Sequence, residues 1–318
     1  MTLSSDTVRA ARLEAHGEPL IVRALPLPPP GDGEVRVRLR FGGVNPVDRY
    51  NAEGRVSPDG PLPRTLGGEA AGELDGQPVL VAGEQLGGLR DGVWAQAANV
   101  PVEAVTKLPQ GVSLQQAAAM GVAGLTAVNC VRGLAAVGPE DRVLVLGASG
   151  GVGSMIVSLA YAAGATVWGQ TGSAEKASGI TADGAARVIV GGPGELGAAL
   201  AELEPTVAFD SLGDAFLAPV INAMAPGGRI VAFGVSAGPE ATINAQQLYR
   251  KGLSLLGYAG LRLTREQRRP GLVQALEAVR SGDLKVRVDE VLALDQVNEA
   301  FARLADRRVR GKLLLDLG

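Results

Sequence analysis

The sequence predicts an α/β protein in which a β-rich part is combined with a parallel sheet flanked by helices. Short apolar runs separated by Gly- and Pro-rich turns fill the chain up to about Lys107, which is typical of a β-rich domain. Strand and helix patterns alternate from about residue 121 to residue 257, which is typical of a doubly wound sheet. Val143–Leu146 is wholly apolar, as a strand buried on both faces requires.

The elements of the β-rich part follow from alternation and from turn residues. In Glu34–Phe41 apolar residues alternate with arginines, so that one face is apolar and the other is solvated. Ser113 with Gln116 three residues later is a capping-box pattern. The predicted elements are strands at Val8–Leu13, Leu20–Leu25 and Glu34–Phe41, a loop or helix start at Asn45–Tyr50, and a helix over Leu114–Met120.

The remaining elements follow from the β/α rhythm and its Gly and Pro stops. Strands are predicted at Val143–Leu146, Ala165–Gly169, Ala186–Val190, Val207–Asp210, Arg229–Phe233, Ser254–Gly257 and Lys312–Leu317. Helices are predicted around Met155–Ala160 and over Glu195–Leu203, Phe216–Met224, Ala245–Arg250, Leu272–Arg280 and Gln296–Ala305. Val286–Leu294 is either a strand pair or a helix.

Composition excludes several classes of protein. The length of 318 residues suits two domains or one large one. A net charge of −3 gives no general attraction to nucleic acid or to an anionic membrane. The single cysteine, Cys130, excludes an internal disulfide and a cysteine-cluster metal site. The polar start and the lack of a long apolar run predict a cytoplasmic protein without a signal peptide or a membrane span.

A glycine-rich turn follows Val143–Leu146 and indicates a dinucleotide site. Gly150 and Gly153 stand at the second and third glycine positions of G-x-G-x-x-G, with Ala148 at the first. Glycine lets the backbone approach a pyrophosphate at the N-terminus of the following helix. A plain structural turn is the alternative. The residues expected to hold the pyrophosphate are Ala148, Ser149, Gly150, Gly151 and Val152.

The end of the second strand indicates which dinucleotide binds. An NAD site needs an Asp or Glu about 20 residues beyond the turn to hold the ribose 2′-hydroxyl. This sequence has Gln170, Thr171, Gly172 and Ser173 there, with Lys176 one helical turn later. The missing carboxylate favours NADPH, with Thr171 to Ser173 and Lys176 around the 2′-phosphate. The alternative is that Ser173 only caps a helix and Lys176 is a solvated charge.

Other cofactor neighbours are nominated by topology, because parallel sheets bind ligands beyond the carboxyl ends of their strands. The residues at those ends are Ser211, Phe233, Gly234, Val235 and Tyr258.

Several motifs together resemble a known family over nearly the whole chain: Val44–Asp48, Gly67–Gly72, Gly124–Ala127, Ala148–Gly153, Ala225–Arg229 and Gly311–Lys312. The chain resembles the medium-chain dehydrogenase/reductases, and among them the zinc-free quinone oxidoreductase (zeta-crystallin-like) branch. The resemblance implies a GroES-like β-rich catalytic domain from residues 1–120 and 258–318 and a Rossmann NADP-binding domain over residues 121–257. It further implies an active site in the cleft between them, and a homodimer or tetramer joined through the Rossmann sheet edge.

The resemblance also argues against a metal. The places where zinc-dependent relatives carry ligands correspond here to Asn45, Gly68 and Met120, which do not make a tetrahedral zinc site. The only histidine, His16, lies in the first hairpin and is expected to be a surface or turn residue. We therefore expect no metal and no zinc-assisted alcohol oxidation.

The expected catalytic residues come from the same resemblance. It implies that Asn45 and Thr126 lie near the nicotinamide and its ribose. Tyr50 lines the substrate pocket and donates a hydrogen bond to a carbonyl, and Lys312 lies near the cofactor. The plainer alternatives are that Asn45 shapes a turn, Tyr50 packs in the cleft and Asp48 caps a helix.

The expected reaction is metal-independent hydride transfer from NADPH to a quinone or an α,β-unsaturated carbonyl, since a few donors stabilise the charge that develops on oxygen. Ala52 and Val56 stand where the family's loop carries an arginine and a tyrosine, which counts against a fatty enoyl-thioester substrate. The alternatives are an NADPH-dependent 2-alkenal or enoyl-thioester reductase and a non-enzymatic NADPH sensor on the same fold. No nucleic-acid or membrane partner is expected.

Overall fold

The computed structural model describes residues 7–318 and divides the chain into two compact units. The split unit holds the chain up to Gly124 together with Arg265–Arg280 and Val288–Gly318. The central unit holds Leu125–Thr264 and Ser281–Arg287. The predicted domain boundaries lie at residues 120 and 257, a few residues before those of the two units. The short segment Ser281–Arg287, which joins the central unit from within the C-terminal part, was not foreseen.

Sixteen strands occur in residues 7–318. In chain order they are β1 (Thr7–Leu13), β2 (Ile21–Pro26), β3 (Glu34–Val44), β4 (Arg64–Thr65), β5 (Glu69–Leu74), β6 (Gln77–Ala82), β7 (Ala97–Pro101), β8 (Val105–Lys107), β9 (Arg142–Val145), β10 (Thr166–Thr171), β11 (Arg187–Val190), β12 (Val207–Asp210), β13 (Arg229–Ala232), β14 (Ser254–Gly257), β15 (Val288–Ala293) and β16 (Lys312–Asp316).

Ten α-helices occur in the same range. They are α1 (Pro46–Ala52), α2 (Leu114–Ala117), α3 (Leu125–Val128), α4 (Gly151–Ala162), α5 (Ala177–Asp183), α6 (Pro193–Leu200), α7 (Leu217–Ala223), α8 (Ala245–Arg250), α9 (Arg265–Ser281) and α10 (Val297–Ala305). Two π-helical turns, Met120–Gly124 and Asn129–Leu134, flank α3. No helix within residues 7–318 combines the length and the apolar character needed to cross a bilayer.

The split unit is built on a seven-stranded sheet whose order is β15-β16-β3-β5-β6-β8, with β7 also paired to β3. A smaller sheet has the order β2-β1-β4. In β3 Val37 and Leu39 are buried while Arg38 and Arg40 are exposed, as the alternation predicts. β16 pairs antiparallel with the end of β3, so the C-terminal strand lies beside the start of α1.

The central unit is a six-stranded, wholly parallel sheet of order β11-β10-β9-β12-β13-β14. Val143–Leu146 is fully buried, which confirms a strand covered on both faces. The chain runs outward from β9 to β11 and then returns to β12 on the other side of β9. This reversal is a topological switch point, where doubly wound sheets form a crevice for a ligand.

Two predicted helices differ from the structure. The helix predicted over Leu114–Met120 ends at Ala117, and a π-helical turn follows in which Val122 N donates to Glu69 Oε2 and Gly121 packs directly against Glu69 and Ala82. The helix predicted from Leu272 begins seven residues earlier, at Arg265, and contains Pro270. Leu272, Ala275, Leu276 and Val279 anchor one face in the core, which keeps the helix intact around the missing N–H of the proline. Val286–Leu294, left open by the sequence, contains the single strand β15.

Candidate functional site

The glycine-rich turn joins β9 to α4 at the switch point of the central sheet. Gly147 has φ of +64°, a conformation that favours glycine. Gly153 is packed so closely that a Cβ there would lie 2.3 Å from the Gly147 carbonyl oxygen. At Gly150 a Cβ would meet only that same oxygen, at 3.4 Å, and otherwise open space. Gly153 is therefore required by packing, whereas Gly150 leaves room beside the helix terminus.

Ala148 is accommodated at the first motif position by a glycine on the neighbouring strand. The Ala148 side chain is fully buried, and a Cβ added at Gly169 would lie 2.9 Å from the Ala148 Cβ. The methyl group of Ala148 thus occupies space that Gly169 leaves empty. The departure from the motif is compensated within the sheet, and the turn keeps its form.

The N-terminus of α4 has the properties of an anion site. Gly150 is the N-cap residue, and no acidic residue lies in the first turn. The first N–H groups of a helix have no acceptor within it, so those of Gly151, Val152 and Gly153 point out of the N-terminus. In this twelve-residue helix the dipole adds to their attraction for a phosphate group. The turn fits a dinucleotide pyrophosphate.

Gln170 holds this turn in place, a role that the sequence did not indicate. Its side chain is buried, and its Oε1 accepts a hydrogen bond from Gly147 N at 3.0 Å. Its Nε2 donates to Gly191 O at 2.7 Å, and its carbonyl accepts from Ala148 N at 2.9 Å. On the other side Ser211 Oγ donates to Leu146 O at 3.1 Å. The carboxyl ends of β9, β10 and β11 are tied together by one carboxamide.

The residues proposed for the 2′-phosphate begin at Thr171, the last residue of β10, and continue into the segment that follows. Thr171 and Ser149 are buried, and their hydroxyl oxygens are 3.4 Å apart. Gly172 is exposed, while Ser173 and Lys176 are half-buried around a 3₁₀ turn at Ala174–Lys176. Ser173 is the N-cap residue of that turn without a side-chain capping bond, so its hydroxyl does not serve the cap.

The other nominated residues lie at the carboxyl ends of β12, β13 and β14. Asp210 holds the loop that follows β12, because its Oδ1 accepts hydrogen bonds from Leu212 N at 2.8 Å and Gly213 N at 3.0 Å. Burial raises the pKa of Asp210. Gly234 approaches Ser211 closely, since a Cβ there would lie 2.9 Å from the Ser211 carbonyl oxygen. The ends of β12 and β13 thus bring these residues to one side of the sheet.

Tyr258, Phe233, Val235 and Thr126 complete the set from the central unit. Tyr258 Oη accepts a hydrogen bond from Asn129 Nδ2 at 3.3 Å. Phe233 N donates to Asp210 O at 2.9 Å, and Val235 is exposed. Thr126 lies in α3 and is buried.

In the split unit four polar side chains form a buried cluster, which we call the Asn45 cluster: Asn45, Asp48, Glu69 and Lys312. Lys312 Nζ donates to Asn45 Oδ1 at 2.5 Å, Glu69 Oε1 at 2.9 Å and Val44 O at 3.2 Å. Asn45 Nδ2 donates to Glu69 Oε1 at 2.7 Å. All three N–H bonds of the ammonium are therefore committed inside the split unit, which leaves none for a cofactor.

Asp48 anchors the main chain of the same cluster. Its Oδ2 accepts from Asn45 N at 2.8 Å and its Oδ1 from Gly68 N at 3.2 Å. The first of these bonds confirms the helix-cap alternative for Asp48, because Asn45 is the N-cap residue of α1. Burial, aided by the charge of Glu69, raises the pKa of Asp48 to about 7.

Tyr50 lies on α1 and is half-buried. The Arg55 guanidinium carbon is 4.5 Å from the ring centroid, and that of Arg49 is 5.6 Å away. Both distances are within the range of cation–π contacts. The ring is held by charged neighbours rather than in an apolar core.

The three positions that were expected to match the zinc ligands of relatives make other contacts in this structure. Asn45 donates a hydrogen bond to Glu69 within the Asn45 cluster, and Gly68 N donates one to Asp48 Oδ1. The Met120 side chain is fully buried. Within residues 7–318 there is no group of three or more His, Cys, Asp or Glu side chains arranged to hold a metal ion. His16 is half-buried in the hairpin turn beside Gly54, and its Nε2 has no hydrogen-bond partner in the described structure.

The chain is similar to proteins of a known family. A family model described as zinc-binding dehydrogenase matches residues 151–278. Quinone oxidoreductase 1 of Escherichia coli (strain K12) is 30% identical, over 96% of this chain and 99% of that protein. The chain belongs to the medium-chain dehydrogenase/reductase superfamily, in its quinone oxidoreductase branch. A quinone oxidoreductase of Pseudomonas aeruginosa is 29% identical to this medium-chain dehydrogenase/reductase. The match covers 95% of this chain and 97% of the Pseudomonas protein.

Solved structures agree with the fold of this medium-chain dehydrogenase/reductase. An NAD-dependent alcohol dehydrogenase is 31% identical to it, with a TM-score of 0.87 over 98% of this chain and 100% of that one. The predicted family and the predicted fold class, a GroES-like β-rich part with a Rossmann sheet, are thereby confirmed. Membership makes the chain an oxidoreductase and supports a nicotinamide cofactor and a small-molecule substrate.

Two residues that shape the candidate site of this medium-chain dehydrogenase/reductase, Gln170 and Glu69, were not predicted from the sequence. Glu69 lies in the motif Gly67–Gly72, but its role is not predictable from the sequence because its partners Asn45 and Lys312 are 24 and 243 residues away. The glycines at positions 43 and 121 are the feature of the sequence that relates to Glu69, because only residues without a Cβ leave room for its carboxylate. A Cβ at Gly43 would lie 2.3 Å from Glu69 Oε1, and one at Gly121 would lie 2.9 Å from Glu69 Oε2.

Proposed function

We propose that this chain is an NADPH-dependent, metal-independent reductase that acts on quinones or α,β-unsaturated carbonyl compounds. The observation that carries the proposal is the glycine turn at the switch point of a parallel sheet, followed by a β10 end without a carboxylate. Bound NADPH supplies a hydride to an electron-poor carbon. Gly151 and Val152 bind the pyrophosphate through their N–H groups, and Ser173 and Lys176 bind the 2′-phosphate.

The substrate is oriented by residues of the split unit. Asn45 and Tyr50 donate hydrogen bonds to the oxygen on which negative charge develops. Thr126, a residue of the central unit, contacts the nicotinamide ribose. The guanidinium groups of Arg55 and Arg49 lie 4.5 and 5.6 Å from the Tyr50 ring centroid, and these cation–π contacts restrain the ring that carries the donor.

Metal independence rests on the Asn45 cluster. Lys312 Nζ lies 2.5 Å from Asn45 Oδ1, 2.9 Å from Glu69 Oε1 and 3.2 Å from Val44 O. The charged lysine side chain therefore occupies the place between these oxygens that a metal ion would need. Elemental analysis of the purified protein should find no stoichiometric zinc. One bound equivalent would contradict this part of the proposal.

The proposal includes a homodimer joined through an edge of the central sheet, for which we choose β14 over the other edge strand, β11. β14 is the last strand of the six, and Leu255 on it is 42% exposed. An unpaired edge with an exposed leucine is a template for strand addition from a second copy.

The deciding experiment follows the absorbance of reduced nicotinamide with NADPH and NADH in parallel against an ortho-quinone. Oxidation of NADPH well above that of NADH is the expected result. Turnover of 2-alkenals or enoyl thioesters but not of quinones would favour the alternative reductase. NADPH binding, detected by fluorescence, without turnover of any acceptor would favour the sensor. Faster turnover of NADH would contradict the assignment of Ser173 and Lys176.

A further inference from the structure

Lys312 and Glu69 form an ion pair deep in the split unit that the proposed reaction does not use directly. The Glu69 side chain is fully buried and that of Lys312 is 3% exposed. Removing two charges from water is costly, and an apolar pair of similar size is often as stable. Stability alone is therefore a weak reason for this pair, and its geometry points to a different role.

The pair leaves the Asn45 carboxamide a single orientation. An ammonium can only donate hydrogen bonds and a carboxylate can only accept them. Asn45 Oδ1 must therefore face Lys312 Nζ, at 2.5 Å, and Nδ2 must face Glu69 Oε1, at 2.7 Å. A flipped carboxamide would place two donors together and two acceptors together. The second N–H of Nδ2 is left for another acceptor.

Glu69 is itself prevented from turning. Its Oε2 accepts a hydrogen bond from Val122 N, at 2.9 Å, in the π-helical turn. The glycines at positions 43 and 121 allow the backbone to close on the carboxylate from two sides, as the added-Cβ distances show. The main chain at Asn45 is fixed as well, through Asp48 Oδ2.

We propose that Lys312 and Glu69 are positioning residues that fix the Asn45 carboxamide so that its remaining N–H is presented to the substrate oxygen. The inference rests on the proposed function for the identity of that acceptor. Oriented donors of this kind act without reorganisation at the moment of reaction, which is why fixing them affects rate more than binding. Lys312 contributes through Asn45 and not through contact with the cofactor.

The first test uses Lys312→Met, which keeps the volume and removes the charge. The expected result is a fall in kcat of about 10- to 100-fold with NADPH affinity unchanged within about threefold, because the lost function acts in the transition state. Arg268→Met is the matched control, since it removes a cation paired with Glu84 at 3.9 Å in the same unit. It should leave kcat unchanged. Activity is measured well below the melting temperature of each variant.

The double variant Lys312→Met/Glu69→Gln separates positioning from stability. It removes both charges, so the cost of an unpaired buried carboxylate disappears and the melting temperature should recover. A glutamine at 69 both donates and accepts, which permits either orientation of Asn45. A positioning role predicts that kcat stays low in the double variant. Recovery of kcat together with stability would overturn the proposal.

A second readout does not depend on turnover. The side-chain amide of Asn45 is observed by ¹H–¹⁵N NMR and assigned from its loss in Asn45→Ser. In the parent protein its two protons should give one pair of dispersed, slowly exchanging signals, and Lys312→Met should shift them and speed their exchange. Unchanged signals would overturn the inference. If the parent protein turns over no quinone or enone, the proposed function fails while this readout still decides the role of Lys312.

Discussion

At the scale of single residues, Asp48 links the buried cluster to pH. Its pKa is raised from 3.8 to about 7, chiefly by burial and then by the charge of Glu69. Hydrogen bonds from Asn45 N and Gly68 N and the charge of Lys312 act in the opposite direction. Between these pH values the folded chain retains a proton that the unfolded chain has released. The stabilisation is complete below about pH 4 and is lost as the pH rises through 7.

Asp48→Asn should remove this dependence. A difference of about three pH units corresponds to on the order of 4 kcal/mol. The stability advantage of the parent protein over Asp48→Asn should therefore shrink by that order between pH 4 and pH 8, measured by urea unfolding at each pH. Parallel stability profiles for the two proteins would show that Asp48 titrates normally.

At the same scale, the proposed preference for NADPH depends on Lys176. Lys176→Glu should weaken NADPH binding by about 1–3 kcal/mol and leave NADH binding unchanged, because only NADPH carries the phosphate that a charged amine pairs with. Both dissociation constants are measured by fluorescence titration. Lys107→Glu, a charge reversal at an exposed position of β8, is the control and should change neither. Equal losses for both cofactors would assign Lys176 a structural role.

At the scale of elements, the glycines of the β9–α4 turn have separable roles. Gly150→Ala should fold with stability within about 0.5 kcal/mol of the parent, since its Cβ meets open space and its φ of −81° suits alanine. Its NADPH affinity should fall about tenfold or more, or about 1.4 kcal/mol, because the methyl group fills the approach to the helix N-terminus. Calorimetry of binding and of thermal unfolding measures both quantities.

Gly153→Ala is the matched comparison in the same turn. Its Cβ would lie 2.3 Å from the Gly147 carbonyl oxygen, so the turn must deform. A loss of stability of about 1–3 kcal/mol is expected, together with the loss of binding. If Gly150→Ala bound NADPH normally, the pyrophosphate would not approach at this point.

Helices and strands were predictable from the sequence where residues close in the chain, such as caps and turn residues, determine them. Ala245–Arg250 and Ser254–Gly257 were predicted with the bounds of α8 and β14, and Ser113 and Gln116 form the capping box at α2 that their spacing indicated. The π-helical turn after α2 was not predictable in this way. Within it Val122 N donates a hydrogen bond to Glu69, a residue 53 positions away in the sequence. The Asn45 cluster and the role of Gln170 likewise depend on pairings that only the folded sheets create.

At the scale of the whole molecule, the open edge at β14 predicts the oligomeric state. Leu255→Lys should convert the proposed dimer to a monomer, because a charged side chain on an edge strand opposes strand addition. Sedimentation equilibrium measures the mass of each protein. Leu89→Lys is the control, since Leu89 is 46% exposed and lies in the split unit. A dimer that survives Leu255→Lys would place the interface elsewhere.

The position of β16 has a consequence for synthesis on the ribosome. β3 is complete once Val44 has emerged, yet its partner Lys312 follows 268 residues later. At 5–20 residues per second that interval is roughly 15 to 50 seconds. During it the end of β3 is an unpaired edge and Glu69 has no cation to neutralise it, so the nascent split unit is open to mispairing. The central sheet can assemble meanwhile, and the last strand then closes the unit that was begun first.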